Sequence, residues 1–133
     1  MEQKEVFLKS EGDKWFERNK ECLNGVPKPY EFYKIYIKPG FKILEIGCSC
    51  GHDLDYFQQY YNCKCYGIDP SKDAVEEGKE KYTNLNLKVG TSDKLEFEDE
   101  CFDFVIFGFC LYLVDRKFLL KTICEADRVL KNG

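Results

Sequence analysis

The chain has 133 residues, enough for one domain around one buried core. Apolar residues make up 44% and aromatics 16%, which excludes an intrinsically disordered composition. A formal charge of −4, with Lys and Glu interspersed, argues against a general binder of nucleic acid or anionic membrane, and no apolar run nears the ~20 residues of a membrane span.

The N-terminus, Met1-Glu2-Gln3-Lys4-Glu5, lacks the apolar centre of a secretory signal, so a cytoplasmic location with reduced thiols is expected. Cys48/Cys50 and Cys63/Cys65 form two Cys-x-Cys pairs. Zinc sites favour about two to four intervening residues, so these pairs predict small buried side chains and no metal.

In chain order, Trp15, Phe16, Cys22 and Leu23 predict an amphipathic helix from about Asp13 to Leu23, stopped by Asn24-Gly25 and then Pro27 and Pro29. A short helix from Tyr30 to Ile37 follows and is closed by Pro39-Gly40. Residues 1–40 thus form a helical appendage packed on the same domain as residues 41–133.

From Phe41 onward strands and helices alternate. The first strand is Phe41 to Ile46, and a helix runs from about His52 to Tyr61. The second strand, Lys64 to Ile68, ends in Asp69-Pro70, and Ser71 caps a helix that carries Val75, Gly78 and Tyr82 on one face. The third strand is Leu85 to Val89, with Gly90 to Glu100 as loop around Phe97. The fourth, Phe102 to Phe109, is apolar on both faces apart from Asp103. Asp115 caps the last helix, whose face is Leu119, Ile123, Ala126 and Leu130, with Asn132-Gly133 as its stop. Repeated βα units with short loops imply a doubly wound, mostly parallel, Rossmann-like α/β sheet.

Open α/β sheets bind ligands at the carboxyl ends of their strands, where three loops converge here. The first runs from Glu45 through Gly47, Cys48 and Gly51, a glycine turn expected to aim backbone N–H groups at a ligand. The second holds Asp69, twenty-two positions after Gly47, where a carboxylate accepts hydrogen bonds from a ribose diol. The third is Thr91-Ser92-Asp93, placed to meet a purine edge.

These segments resemble the class I S-adenosylmethionine (SAM)-dependent methyltransferases. Ile43-Leu44-Glu45-Ile46-Gly47-Cys48-Ser49-Cys50-Gly51 is similar to that family's first motif and Tyr66-Gly67-Ile68-Asp69-Pro70-Ser71 to its acidic loop. Val89 to Leu95 resembles the adenine loop, Phe102 to Phe109 the fourth motif, and Glu125 to Gly133 the helix-to-strand junction. The resemblance implies that Glu45 and the backbone around Gly47, Cys48 and Gly51 handle the methionine moiety. It implies that Asp69 holds the ribose, Pro70 lies against the adenine, and Thr91, Ser92 and Asp93 read its edge. Phe109 would then lie near the sulfonium. The family often has glycine where Ser49 stands, and its usual adenine-contacting acid aligns with Thr91, so either Thr91 or Asp93 makes that contact.

A nicotinamide dinucleotide is the rival ligand, but G-x-G-x-x-G puts its outer glycines five apart, whereas Gly47 and Gly51 are four apart with no glycine between. The expected function is methyl transfer from SAM to a small-molecule acceptor, with a cofactor- or partner-binding module without turnover as the alternative. No residue is marked as a general base, and His52, the lone histidine, reads as a helix-start residue. If the N-terminal helix folds over the mouth, Arg18 would pair with a carboxylate and Trp15 and Phe16 would wall the acceptor pocket; otherwise the aromatics dock the helix and Arg18 is solvated. Members of the resembled family continue past the last helix with further strands, which implies a truncated sheet with the fourth strand at its edge. Self-association or a partner's strand is expected to cover that edge.

Overall fold

A computed structural model describes residues 1–23 and 30–132, less the side chains of Tyr30 and Glu31. The expected helix stop at Asn24-Gly25, Pro27 and Pro29, and the terminal Gly133, lie outside the described residues. The elements are α1 (Gln3–Val6), a π-helical turn (Phe7–Glu11), α2 (Gly12–Leu23), α3 (Tyr30–Tyr33), β1 (Lys42–Ile46) and α4 (His52–Tyr61). They continue with β2 (Lys64–Asp69), α5 (Lys72–Lys81), β3 (Asn86–Val89), β4 (Phe104–Phe107), a 3-10 turn (Leu111–Leu113) and α6 (Arg116–Val129).

All strand pairs are parallel, in the order β3-β2-β1-β4. The alternation of side chains along a strand explains how β1 serves two cores. Ile43 packs with Leu54 and Phe57 of α4 and Val75 of α5 on one face of the sheet. Leu44 and Ile46 pack with Phe102 and with Ala126 and Val129 of α6 on the other. Each such fully buried side chain contributes about 1.5–3 kcal/mol. Helices therefore cover both faces, as a parallel sheet requires.

Several boundaries differ from the sequence reading. The N-terminal helix begins ten residues before Asp13, at Gln3, and passes through the π-helical turn. The helix expected to Ile37 stops at Tyr33 and continues only as turn. The fourth strand keeps only Phe104–Phe107, because Phe102 instead bridges Leu130 and donates its N–H to the Val129 carbonyl. At the other end Phe109 turns into the left-handed region, with φ 55° and 79% exposure. The buried face of α6 is Thr122, Ala126 and Val129, leaving Ile123 exposed. Asp115 stands at the N-cap of that helix but makes no side-chain capping bond; its Oδ2 accepts the Gln3 N–H at 2.8 Å. Ser71 does cap α5, accepting the Ala74 N–H at 3.0 Å.

The loop between β3 and β4 is stapled to α6 by one guanidinium. Arg128 donates to the Leu95 and Phe97 carbonyls at 2.9 and 2.8 Å, to Glu125 at 2.7 and 3.0 Å, and to Asp99 at 2.8 Å. Glu125 in turn accepts the Leu95 N–H at 2.7 Å. A planar five-donor fork suits this arrangement and an ammonium does not. Arg128→Ala is expected to lower unfolding free energy by about 2 kcal/mol, since two loop carbonyls and Glu125 lose a charged donor. Arg128→Lys should recover less than half of that, read from urea midpoints at unchanged m.

Candidate functional site

The carboxyl ends of the strands open into a cavity of about 400 Å³. It brings together Glu45, Gly47, Cys48, Asp69, Pro70, Thr91, Ser92, Asp93 and Phe109, all named from the sequence. Gly51 is absent from its lining. That glycine sits behind the wall with φ 83°, and a Cβ there would meet Leu85 and Leu87 at 2.9 and 3.2 Å. It shapes the bend from the core side.

The bend does not aim its amides outward as the glycine pattern suggested. Gly47 and Cys48 both donate to the Ile68 carbonyl, at 2.8 and 3.0 Å, and Gly51 donates to the Cys48 carbonyl at 2.9 Å. Ser49, held at φ 50°, donates its N–H to Asp69 Oδ2 at 2.8 Å. These four amides stabilise the loop itself. What the loop presents instead is close backbone: a Cβ on Gly47 would lie 2.8 Å from Cys110 Cβ, and one on Gly108 would lie 2.5 Å from the Gly47 carbonyl. The Ser49 hydroxyl is buried with no hydrogen-bond partner among the described residues.

Carboxylates dominate the charge. Glu45 is 3% exposed and stands on β1 opposite Gly67 and Ile106. Asp69 also takes the Ser71 N–H, on Oδ1 at 2.8 Å. Burial raises its carboxyl above the ordinary range, and the Ser71 and Ser49 amides only partly offset that. For Asp93 burial pushes upward too, but bonds from the Lys4 ammonium and the Thr91 hydroxyl prevail and hold it low. Asp53 joins the lining, with its Oδ1 3.2 Å from His52 Nε2. Burial keeps the Cys48 thiol protonated and pushes Cys110 up to about 12, so neither is a nucleophile at neutral pH.

The N-terminal helices do fold over the mouth, with Lys4, Phe7 and Trp15 in the lining. Phe16 faces the core beside Cys50 and Ala74 and is 1% exposed. Arg18 lies outside the cavity and pairs with Glu11 at 2.5 Å. Among the described residues the lysine or arginine that reaches the site is Lys4, which a polar N-terminal run gave no reason to single out. His52 heads α4 as expected and also lines the cavity, its Nδ1 3.8 Å from Cys50 Sγ. Among the described residues no cluster of His, Cys, Asp and Glu is arranged to hold a metal ion.

A glycine bend after β1, an acid ending β2 and a polar loop after β3, all around one cavity at the sheet's carboxyl edge, define a Rossmann-like α/β domain with its cavity where such sheets take ligands. A family model described as a methyltransferase domain matches residues 43–133, and the chain belongs to that family. It is 34% identical over 102 residues to a demethylmenaquinone methyltransferase of Staphylococcus aureus, a match that covers 73% of this chain and 42% of the relative. A SAM-dependent methyltransferase from Aquifex aeolicus superposes with TM-score 0.68 at 25% identity, over 78% of this chain and 58% of that one. One from Methanosarcina mazei gives TM-score 0.69 at 26% identity, over 80% and 54%. The chain thus spans under half the length of curated relatives such as the staphylococcal one.

Proposed function

We propose that this chain binds SAM and takes part in methyl transfer to a small-molecule acceptor. The observation that carries the reading is electrostatic. A dinucleotide needs free loop amides for its pyrophosphate, whereas here the Gly47, Cys48 and Ser49 amides are already engaged. Glu45, Asp53 and Asp69 instead line a cavity suited to a ligand bearing an ammonium and a sulfonium.

In this reading Glu45 attracts the amino group, and the backbone at Gly47 and Cys48 bounds the methionine end. Asp69 accepts the ribose hydroxyls on lone pairs left by its two amides, Pro70 packs on the adenine, and Thr91 to Asp93 meet its edge. The cofactor, when bound, supplies a methyl group on a sulfonium that departs as a neutral thioether. The chain's part is to fix approach and exclude water, worth several kcal/mol of barrier. Phe109 at the rim would border the reacting end. The relative's named substrate class and the apolar side of the cavity, with Phe7, Leu113, Val114 and Phe118, support a small apolar acceptor. We assign no general base.

Residues 1–40 act in this reading as an appendage that roofs the domain, and the setting is cytoplasmic, in keeping with eight free thiols. No described helix is long and apolar enough to cross a membrane. The second reading, a binding module without turnover, is favoured by the terminal position of β4 in the sheet order and by the exposed Leu120 and Ile123 of α6. That edge invites a partner's strand or a second copy. A thermal-shift series separates the readings. SAM and S-adenosylhomocysteine should stabilise by about 2.7 kcal/mol at a hundredfold excess over Kd, and NAD should not. Stabilisation by NAD alone would overturn the proposal, and a SAM shift with no methyl transferred to any acceptor pool would favour the binding module.

A further inference from the structure

We infer that Lys4 is a positioning residue for the cofactor: its ion pair with Asp93 latches the N-terminal turn across the nucleotide end of the cavity, hinged at the π-helical turn Phe7–Glu11. This rests on the SAM reading above and adds the element that admits and retains the ligand.

The two ends of the N-terminal helical run are held by different physics. Beyond the π-helical turn, α2 is fixed. Asp13 Oδ1 accepts the Ser71 hydroxyl at 2.8 Å and the Asp73 N–H at 3.1 Å, and Phe16 is buried beside Cys50 and Ala74. Gly12 presses so close to α5 that a Cβ would lie 3.0 Å from the Ser71 nitrogen. Before the turn, α1 buries no residue. One helical turn contributes little stability of its own, so α1 is held against the domain chiefly by its polar ties. Those ties are Lys4 Nζ to Asp93 Oδ2 at 2.7 Å, the Gln3 N–H to Asp115 at 2.8 Å, and Glu2 to Lys117.

Of the three, the Lys4 pair has both members in the cavity lining, whereas the Gln3 tie has only Asp115 there and the Glu2 tie has neither. The Asp93 side chain is 5% exposed, so the pair is partly desolvated and less screened than a surface bridge. Lys4 Nζ also sits 4.2 Å from the Phe118 ring centroid, and Lys4, Phe7, Asp93 and Phe118 all line the same cavity. Between the fixed and the latched ends lies the π-helical turn, closed by the Gly12 N–H on the Phe7 carbonyl. Such turns are rare and weaker than α-helix, which suits a pivot. Breaking two ion pairs and one backbone-to-carboxylate hydrogen bond therefore swings α1 without disturbing the core.

Trp15 is the sole tryptophan and lines the cavity, so it reports on the site directly. Stopped-flow fluorescence would follow S-adenosylhomocysteine chased from the protein by excess SAM. Lys4→Met is expected to speed release about tenfold and to remove the acceleration that salt produces in the native chain. Lys4→Arg should stay within about twofold of native, because the charge and reach are kept. In the ligand-free protein, amides of residues 3–11 should exchange hydrogen about tenfold faster in Lys4→Met, with those of α2 unchanged. Native release rates and native exchange in Lys4→Met would overturn the latch. Failure of the native chain to bind S-adenosylhomocysteine would overturn the SAM reading instead, and hydrogen exchange would still decide the latch.

Discussion

Asp69→Asn is expected to weaken SAM binding about a hundredfold while moving Tm little. The carboxylate has two tasks, holding the Ser49 and Ser71 amides at 2.8 Å each and accepting the ribose hydroxyls. Hydrogen bonds to a charged acceptor are worth about 1.5–3 kcal/mol each, so the loss of charge opposite two hydroxyls accounts for two decades in Kd. Stability responds differently. Burial raises this carboxyl in the folded chain, which means the ionised form is disfavoured there relative to the unfolded state. A folded pKa above the unfolded one makes Asp69 a net burden at neutral pH, relieved as pH falls through the raised value. Asn removes that burden while giving up one amide partner, and the two effects nearly offset.

The same raised pKa gives a pH signature. Ribose hydroxyls need the ionised carboxylate, so affinity should fall about tenfold per pH unit once pH drops below the free protein's Asp69 pKa. This decline should begin at higher pH than for an ordinary aspartate. Isothermal titration across pH would show it in the native chain and a flat profile in Asp69→Asn. A large drop in Tm with unchanged affinity would mean that Asp69 serves the loop and not the ligand.

What the sequence disclosed follows from which forces are local. The run from Ile43 to Ile46, its halt at Glu45 and Gly47, and the periodicity of Leu54 and Phe57 are nearest-neighbour signals, and they located β1 and α4. Ser71 three residues before Ala74 is another. By contrast α6 carries two stripes that both fit the helical period. The buried one includes Thr122, whose hydroxyl meets Ser92 at 3.1 Å, so a polar residue is inside and Ile123 outside. Nothing local predicts that a threonine thirty positions from its partner will be satisfied in the core. Residues 3–11 were missed for a related reason. They have no apolar stripe, and they are helical because Lys4, Gln3 and Glu2 find acids and a lysine 89 to 115 positions away. The direction of the loop amides was equally hidden, since the Ile68 carbonyl that captures two of them is on another strand.

Gly108→Ala is expected to be strongly destabilising, lowering unfolding free energy by about 3 kcal/mol or more. Its Cβ would lie 2.5 Å from the Gly47 carbonyl and 2.8 Å from Glu45 Oε1. Neither neighbour can yield cheaply. The Gly47 backbone is tied to Ile68 at 2.8 Å, and Glu45 lies within β1, paired on both sides, with 3% exposure. Relief would require parting β4 from β1 where the Gly108 N–H meets the Ile46 carbonyl at 2.8 Å. Gly40→Ala is the informative comparison. That glycine has φ 83°, so alanine there is strained, but nothing lies within 4 Å of its Cβ. Backbone strain alone should then cost about 1–2 kcal/mol, with S-adenosylhomocysteine affinity unchanged. Urea titrations of both variants, paired with binding at a temperature where each is folded, separate the two mechanisms. Equal losses in the two proteins would show that contact at the Gly47 bend is not what constrains this junction.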